Sequence, residues 1–376
     1  MRIYLDYNAT APVDPAVSAA IAPLAGVFGN ASSIHWAGRE ARRHLEAART
    51  ALATRTGRKP SEVIFTSGGS EANNLALRGT LGPLPRRRRL ITSAVEHPSV
   101  RVTAEALAKT GVEHREIPVD REGRLDLGAL EEALAGPPAV VSVMAVNNET
   151  GVLSPIPEIH ALTKAAGALL HVDAVQAVGR VPVAWQAELI SISGHKLGAP
   201  KGAGALLRQS SIALEPLIHG GPQERGFRAG TEPVATFAGL AAAVERSIDR
   251  QAAEVARLRQ LQVQLEAGLR ELGAEIVGAG APRAANTTLF TLEGLEAESL
   301  LQALDLEGIA ASSGSACSSG SVEPSPVLLA MGRSQGQARS AIRVSTGLGT
   351  VREDIDALLL VLPGLLARVR AAGPLR

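Results

Sequence analysis

Leu189-Ile190-Ser191-Ile192-Ser193-Gly194-His195-Lys196 is the stretch whose reading decides the fold. Apolar residues and small hydroxyls run together with no charge among them, the pattern of a strand covered on both faces. The run ends in small residues and delivers a His-Lys pair. A lysine at such a place is ordinarily a solvated loop residue. Two features point further. The chain is rich in arginine and poor in lysine, and Leu170-His171-Val172-Asp173-Ala174 ends a second apolar run in a carboxylate.

Outward from this pair the same pattern repeats. Apolar runs at 62–66, 90–92, 113–117, 139–143, 168–172, 189–193 and 203–207 predict strands, with helical segments between several of them. Continuous apolar strands with helical crossovers mean an α/β fold, a mainly parallel central sheet covered by helices. Before it, residues 1–12 read as an extended arm, Asp14-Pro15 as a helix start and 39–55 as an alanine-rich helix. After it, 235–272 reads as one long connecting helix. Strands at 288–292, 309–312 and 341–345, a helix at 297–304 and a last helix from 351 suggest a smaller α+β unit. The expected division is a large domain at 13–255, and a small domain of 1–12 plus 256–376 carrying a cysteine loop at 312–325.

Composition narrows the class. The 376 residues are 45% hydrophobic and carry a net charge of +1, which points to neither nucleic acid nor an anionic membrane. Arg86-Arg87-Arg88-Arg89 reads as a solvated turn before a strand. No apolar run is long enough to span a membrane, and the N-terminus lacks a charged-then-apolar signal pattern. One cysteine cannot form an internal disulfide, so a reducing cytoplasm is the expected location.

The candidate site gathers at strand ends. An amine and a carboxylate closing two core strands suit an imine-forming lysine and the partner of a pyridinium nitrogen, which is what pyridoxal 5'-phosphate requires. Ser67-Gly68-Gly69-Ser70, between a strand and a helix, is either an anion-binding helix start or an ordinary tight turn. His97 in Glu96-His97-Pro98 either stacks on a cofactor ring or caps a helix. Asn147-Asn148-Glu149 lies where open α/β sheets bind ligands, or is a polar turn. Asp173 is the pyridinium partner or an N-cap, with Gln176 one helical turn later. Arg343, a charge in the apolar run Ala341-Ile342-Arg343-Val344-Ser345, either grips a substrate carboxylate or is a paired structural arginine. Cys317 stands in Ser312-Ser313-Gly314-Ser315-Ala316-Cys317-Ser318-Ser319-Gly320-Ser321, whose composition predicts a mobile, exposed loop that carries a thiolate between partners.

Taken in order, these motifs resemble those of the cysteine desulfurases, pyridoxal-phosphate enzymes of the class V aminotransferase fold (fold-type I). The likeness runs end to end: Tyr4-Leu5-Asp6-Tyr7-Asn8-Ala9-Thr10, Gly29-Asn30-Ala31-Ser32-Ser33-Ile34-His35, Phe65-Thr66-Ser67-Gly68, Glu96-His97, Val146-Asn147-Asn148-Glu149, His171-Val172-Asp173-Ala174-Val175-Gln176, Ser193-Gly194-His195-Lys196, and Arg225-Gly226-Phe227-Arg228-Ala229-Gly230-Thr231. Ser-Ser-Gly-Ser-Ala-Cys at 312–317 is the most diagnostic, and resembles the long-loop subgroup that supplies sulfur to iron–sulfur assembly.

The resemblance implies roles. Lys196 bonds the cofactor and shuttles protons, Asp173 pairs with the ring nitrogen, and His97 stacks on the ring. Gln176 and Asn148 approach the ring hydroxyl and the substrate. Gly69, Ser70, Ser193 and His195 bind the phosphate, with Thr231 reaching over from the other subunit of a homodimer. Arg343 and Asn148 hold the carboxylate of L-cysteine. Cys317 takes the sulfur as a persulfide and passes it to an iron–sulfur scaffold or another acceptor protein. No resident metal is expected, although Cys317 would meet a nascent iron–sulfur cluster during transfer. Selenocysteine lyase, β-elimination or aminotransfer on the same fold, and a non-catalytic sulfur carrier, are the alternatives. Gly68-Gly69-Ser70 replaces the family's usual Gly-Ala-Thr, and Gly198-Ala199 replaces Tyr-Gly. The sequence ends at Arg376, where some members continue into a scaffold-docking tail.

Overall fold

A computed structural model describes residues 2–82, 89–183, 185–314 and 324–372. Cys317 and Arg86, Arg87 and Arg88 of the basic run lie outside the described residues. The strands are β1 (Ile3–Tyr4), β2 (Val63–Thr66), β3 (Arg89–Ser93), β4 (Glu113–Ile117), β5 (Val140–Met144), β6 (Leu169–Asp173), β7 (Leu189–Ser193), β8 (Gly204–Arg208), β9 (Glu275–Ile276), β10 (Thr287–Thr291), β11 (Ile309–Ala310), β12 (Ser312–Ser313) and β13 (Ile342–Ser345). The helices are α1 (Pro15–Ile21), α2 (Trp36–Arg55), α3 (Gly69–Leu81), α4 (Pro98–Ala108), α5 (Leu127–Leu134), α6 (Ile156–Ala165), α7 (Val234–Glu271), α8 (Ala297–Leu306), α9 (Pro326–Ala330), α10 (Gln335–Arg339) and α11 (Arg352–Ala372).

Seven strands form the main sheet in the order β2-β8-β7-β6-β5-β3-β4. From β7 through β4 every neighbouring pair is parallel. β8 runs antiparallel to both β7 and β2. The link from β7 to β8 is too short for a parallel crossover, which needs a dozen or more residues. β2, β5, β6 and β7 therefore all end at one edge, with Thr66 and Ser193 each paired to Gly204, and Met144 to Asp173. Every residue of β2, β5, β6 and β7 is buried, and ligands bind at the carboxyl edge of such sheets.

Two cores follow. Val234, Phe237, Leu240 and Val244, near the start of α7, pack into the main-sheet core. Leu258, Leu261, Leu265 and Leu269, further along it, pack with β10, β13, α8 and α11. At its 38 residues α7 is about 57 Å long, enough to serve both. The second core sits on an antiparallel sheet of order β12-β13-β10-β9. The arm pairs β1 with β11 in parallel and then bridges Asp6 to Ser345, which leads residues 7–10 into the edge of the main sheet.

Three local expectations are revised. The single strand expected at 309–312 is two, because β11 joins β1 while β12 joins β13. The stretch between the cysteine loop and the strand at 341, for which no element is expected, holds α9 and α10. Arg89 is not part of a solvated turn. It opens β3, only 8% exposed, and its guanidinium donates to the carbonyls of Ala133 and Pro137.

Candidate active site

β7 ends in a 3-10 turn, Gly194–Lys196, that aims the lysine across the sheet edge. Lys196 Nζ donates to the carbonyls of Asn8 at 2.6 Å and Ala9 at 2.7 Å, so the arm closes over it. Burial, with the guanidinium groups of Arg180 and Arg343 nearby, pushes its amine down to about 8, while Asp6 and Asp173 pull the other way. One strand over, Asp173 ends β6. Its Oδ1 accepts from the Val175 N–H at 2.9 Å and its Oδ2 from Asn73 Nδ2 at 2.7 Å. His97 caps α4: its Nδ1 accepts from the Ser99 N–H at 3.1 Å and lies 2.8 Å from Ser99 Oγ. Burial lowers His97, as does the Lys196 charge, against the pull of Asp173. Beneath the edge His171 bridges Ser142 and Ser191 on the flanking strands, 2.8 Å from each hydroxyl, and burial pushes it down to about 4.

These groups enclose a cavity of about 300 Å³. Of the expected residues, Gly69, Ser70, His97, Asn148, Asp173, Gln176, Ser193, His195, Lys196 and Arg343 all line it. Thr231 does not. It is exposed, in the loop before α7. Arg343 is paired on two of its three nitrogens. Nη2 pairs with Asp6 at 2.8 Å and Nη1 donates to the Asn148 carbonyl at 3.0 Å, while Nε is buried without a partner. Glu149, by contrast, is not among the lining residues. Gly198 and Ala199 also stand clear of the cavity; Gly198 packs against Asp14 and Ala199 is buried in the main core.

Asn8, Asn73, Ser99 and Arg180 were not singled out as site residues from sequence. Asn8 carried a signal as part of the arm motif. Asn73 lies one turn into α3 on its buried face, a polar residue among alanines and leucines. Arg180 carried none. Its guanidinium donates to Asn8 Oδ1 at 2.8 Å, to Gln176 Oε1, and to the backbone carbonyls of Tyr7 at 3.3 Å and Lys196 at 3.2 Å. It has no carboxylate partner among the described residues, and burial pushes it down to about 10.

The wall fits pyridoxal phosphate. Ser193 Oγ, Asn73 Oδ1 and Arg343 Nε are buried and unpartnered in the described structure, hydrogen-bonding capacity held for a ligand. At the start of α3, Gly69 leaves the helix N-terminus open to an anion, since a Cβ there would meet Val175 Cγ2 at 2.7 Å. A cavity with an amine of lowered pKa facing a buried carboxylate is the donor set that an imine-forming pyridine aldehyde needs. Among the described residues no cluster of metal-ligating side chains exists, and no helix is long and apolar enough to cross a membrane.

Comparison with known proteins agrees with this geometry. The class V aminotransferase family model matches residues 3–358. The IscS-like cysteine desulfurase of Mycobacterium tuberculosis is 43% identical over 98% of this chain and 97% of its own length. A solved NifS-like protein superposes with a TM-score of 0.92 at 33% identity, covering 98% of this chain and 100% of that one. SspA, solved in complex with cysteine, superposes with a TM-score of 0.80 at 31% identity, covering 92% and 98%. The chain is thus a class V, pyridoxal-phosphate-dependent enzyme of fold-type I. Within that class it belongs to the cysteine desulfurase family.

Proposed function

We propose that this enzyme takes the sulfur of L-cysteine onto Cys317 and releases L-alanine. The observation that carries the reading is the single cavity in which Lys196, Asp173, His97 and Arg343 meet. When bound, the cofactor supplies an electron sink for charge developing on the substrate carbon. Lys196 bonds the cofactor. Its amine, poised near neutrality by burial and two arginines, removes the α-proton and returns it to carbon. Asp173 holds a proton on the ring nitrogen, and the Asn73 amide and the Val175 N–H orient its carboxylate. His97, its Nδ1 held by Ser99, would lie against the ring. Gly69, Ser70, Ser193 and His195 would hold the phosphate, Gln176 would serve the ring hydroxyl and Asn148 the substrate.

Arg343 offers its free Nε edge to the substrate carboxylate while Asp6 and the Asn148 carbonyl fix its other nitrogens. The Cys317 thiolate attacks the substrate sulfur. An S–S bond forms as the C–S bond breaks, the electron pair stays with carbon, and protonation there yields alanine. Cysteine plus the Cys317 thiol thus become alanine plus a Cys317 persulfide, with no outside oxidant.

The working form is a cytoplasmic homodimer. Phe28, Ile34 and Trp36, on and beside the Gly29-to-His35 loop, are 79%, 91% and 64% exposed, an apolar face for a second copy. The sulfur goes on to an iron–sulfur scaffold or another acceptor protein. The test is product identity. Incubation with L-cysteine and a thiol acceptor yields alanine, rising with acceptor, whereas pyruvate would establish β-elimination and overturn the reading.

A further inference from the structure

Glu149 ends the Asn147-Asn148-Glu149 motif, yet its side chain leaves the cavity and turns into the small domain. The carboxyl is only 6% exposed. Its Oε2 accepts from Ser325 Oγ at 2.5 Å. A methyl group added to Gly314 would meet the same oxygen at 2.8 Å, with Leu289 Cδ1 at 3.6 Å. Gly314 has no positive φ, so it is glycine here for space: the carboxylate occupies the place of a side chain.

Residues 314 and 325 bracket the stretch that carries Cys317. One flank is thus hydrogen-bonded to this buried oxygen and the other packs close against it. The other side of Glu149 is equally fixed. Asn147 Oδ1 accepts its N–H at 3.0 Å and that of Thr150 at 2.9 Å, and Asn147 Nδ2 donates to the Val95 carbonyl at 3.0 Å. The neighbouring Asn148 lines the cavity, and its carbonyl takes Arg343 Nη1. Ser325 Oγ accepts the Leu328 N–H at 3.2 Å, so the anchor also starts α9. Burial raises the Glu149 carboxyl, against the pull of the Ser325 hydroxyl and Arg343.

We propose that Glu149 is a positioning residue for the sulfur step: one buried carboxyl, bonded to Ser325 on one flank of the Cys317 segment and packed against Gly314 on the other, ties that segment to the loop that presents Asn148 to the substrate. This rests on Cys317 being the sulfur acceptor. Tethering a segment at a single point restricts where its nucleophile travels and raises its effective concentration at the target. A carboxyl suits the post because its oxygen accepts the Ser325 hydroxyl bond, which an apolar side chain could not.

The test uses the holoenzyme and three variants, Glu149→Ala, Glu149→Gln and Ser325→Ala. Cys317 is the sole cysteine, so its reaction with an aromatic disulfide reagent, without substrate, reads this thiol alone. In Ser325→Ala and Glu149→Ala the cofactor's visible band and the KM for cysteine stay near wild type. The thiol reacts about threefold faster or more, and single-turnover persulfide formation slows about tenfold or more, as lost effective concentration requires. Glu149→Gln keeps an oxygen for Ser325 and returns the thiol rate toward wild type. Unchanged thiol and persulfide rates in Ser325→Ala with an intact visible band overturn the proposal. So does loss of the visible band in Ser325→Ala, which makes the contact merely structural. Persulfide formation that survives Cys317→Ala overturns the underlying reading instead, and the thiol rates still judge Glu149.

Discussion

At the scale of the residue, Lys196 lies just past the end of β7, where the apolar run puts it, and its surroundings are assembled from across the molecule. The apolar run and the strand-end carboxylate identified it. Its actual partners are carbonyls of the arm at residues 8 and 9, and a cation at Arg180. No local pattern announces a contact between residues 172 or 188 positions apart, which is why the roles of Arg180 and Asn8 at the site were not legible. His97, lowered, and His195, down to about 4, are neutral near pH 8 and add no charge around the amine. Asp6 and Asp173 favour the ammonium form, while burial, Arg180 and Arg343 oppose it and prevail. The sign is therefore downward from the ordinary lysine value. In cofactor-free protein, labelling of Lys196 by an amine reagent is half-maximal near pH 8. Arg180→Gln removes one opposing charge and moves that midpoint up. Peptide mass spectrometry across pH 6 to 11 (roughly the range that separates a perturbed lysine from an ordinary one) checks both, and an unmoved midpoint denies Arg180 its influence.

At the scale of the element, the sheet was legible because buried parallel strands are continuous apolar runs. Each of the seven expected strands forms, to within one residue at either end. Pairing direction was not legible: only the short β7–β8 link hints that β8 turns back. α9 and α10 were missed because five residues show no helical period. Their start signals were present, Ser325-Pro326 and the capping box of Ser334 with Gln337. The Gly69 departure from the family pattern also finds its cause between elements. α3 begins directly against Val175, and a methyl at 69 would meet Val175 Cγ2 at 2.7 Å and Ser193 Cβ at 3.3 Å. Gly69→Ala shifts the first turn of α3 and weakens cofactor retention several-fold, on the scale of about 1 kcal/mol for one overpacked methyl. Adding Val175→Ala restores it, because the two positions couple. Titration of the cofactor-free protein with pyridoxal phosphate measures this, and a double variant no better than the single one refutes the packing account.

At the scale of the whole molecule, α7 joins two cores. We propose the division at residue 255, between the main-sheet cluster that ends on α7 at Val244 and the second that begins there at Leu258. The arm returns from the small sheet to cover Lys196, so the site belongs to both parts. Composition pointed to neither nucleic acid nor an anionic membrane, and it could not say which strand ends meet. We propose that this molecule divides its labour between the Lys196 amine at the sheet edge and the Cys317 nucleophile on a separate segment. Single-turnover reaction of Cys317→Ala with L-cysteine, with the visible spectrum, alanine and protein persulfide followed together, decides this. The expected result is an unchanged cofactor band, no protein persulfide and loss of nearly all alanine formation. Wild-type alanine release and sulfur transfer from that variant would contradict it.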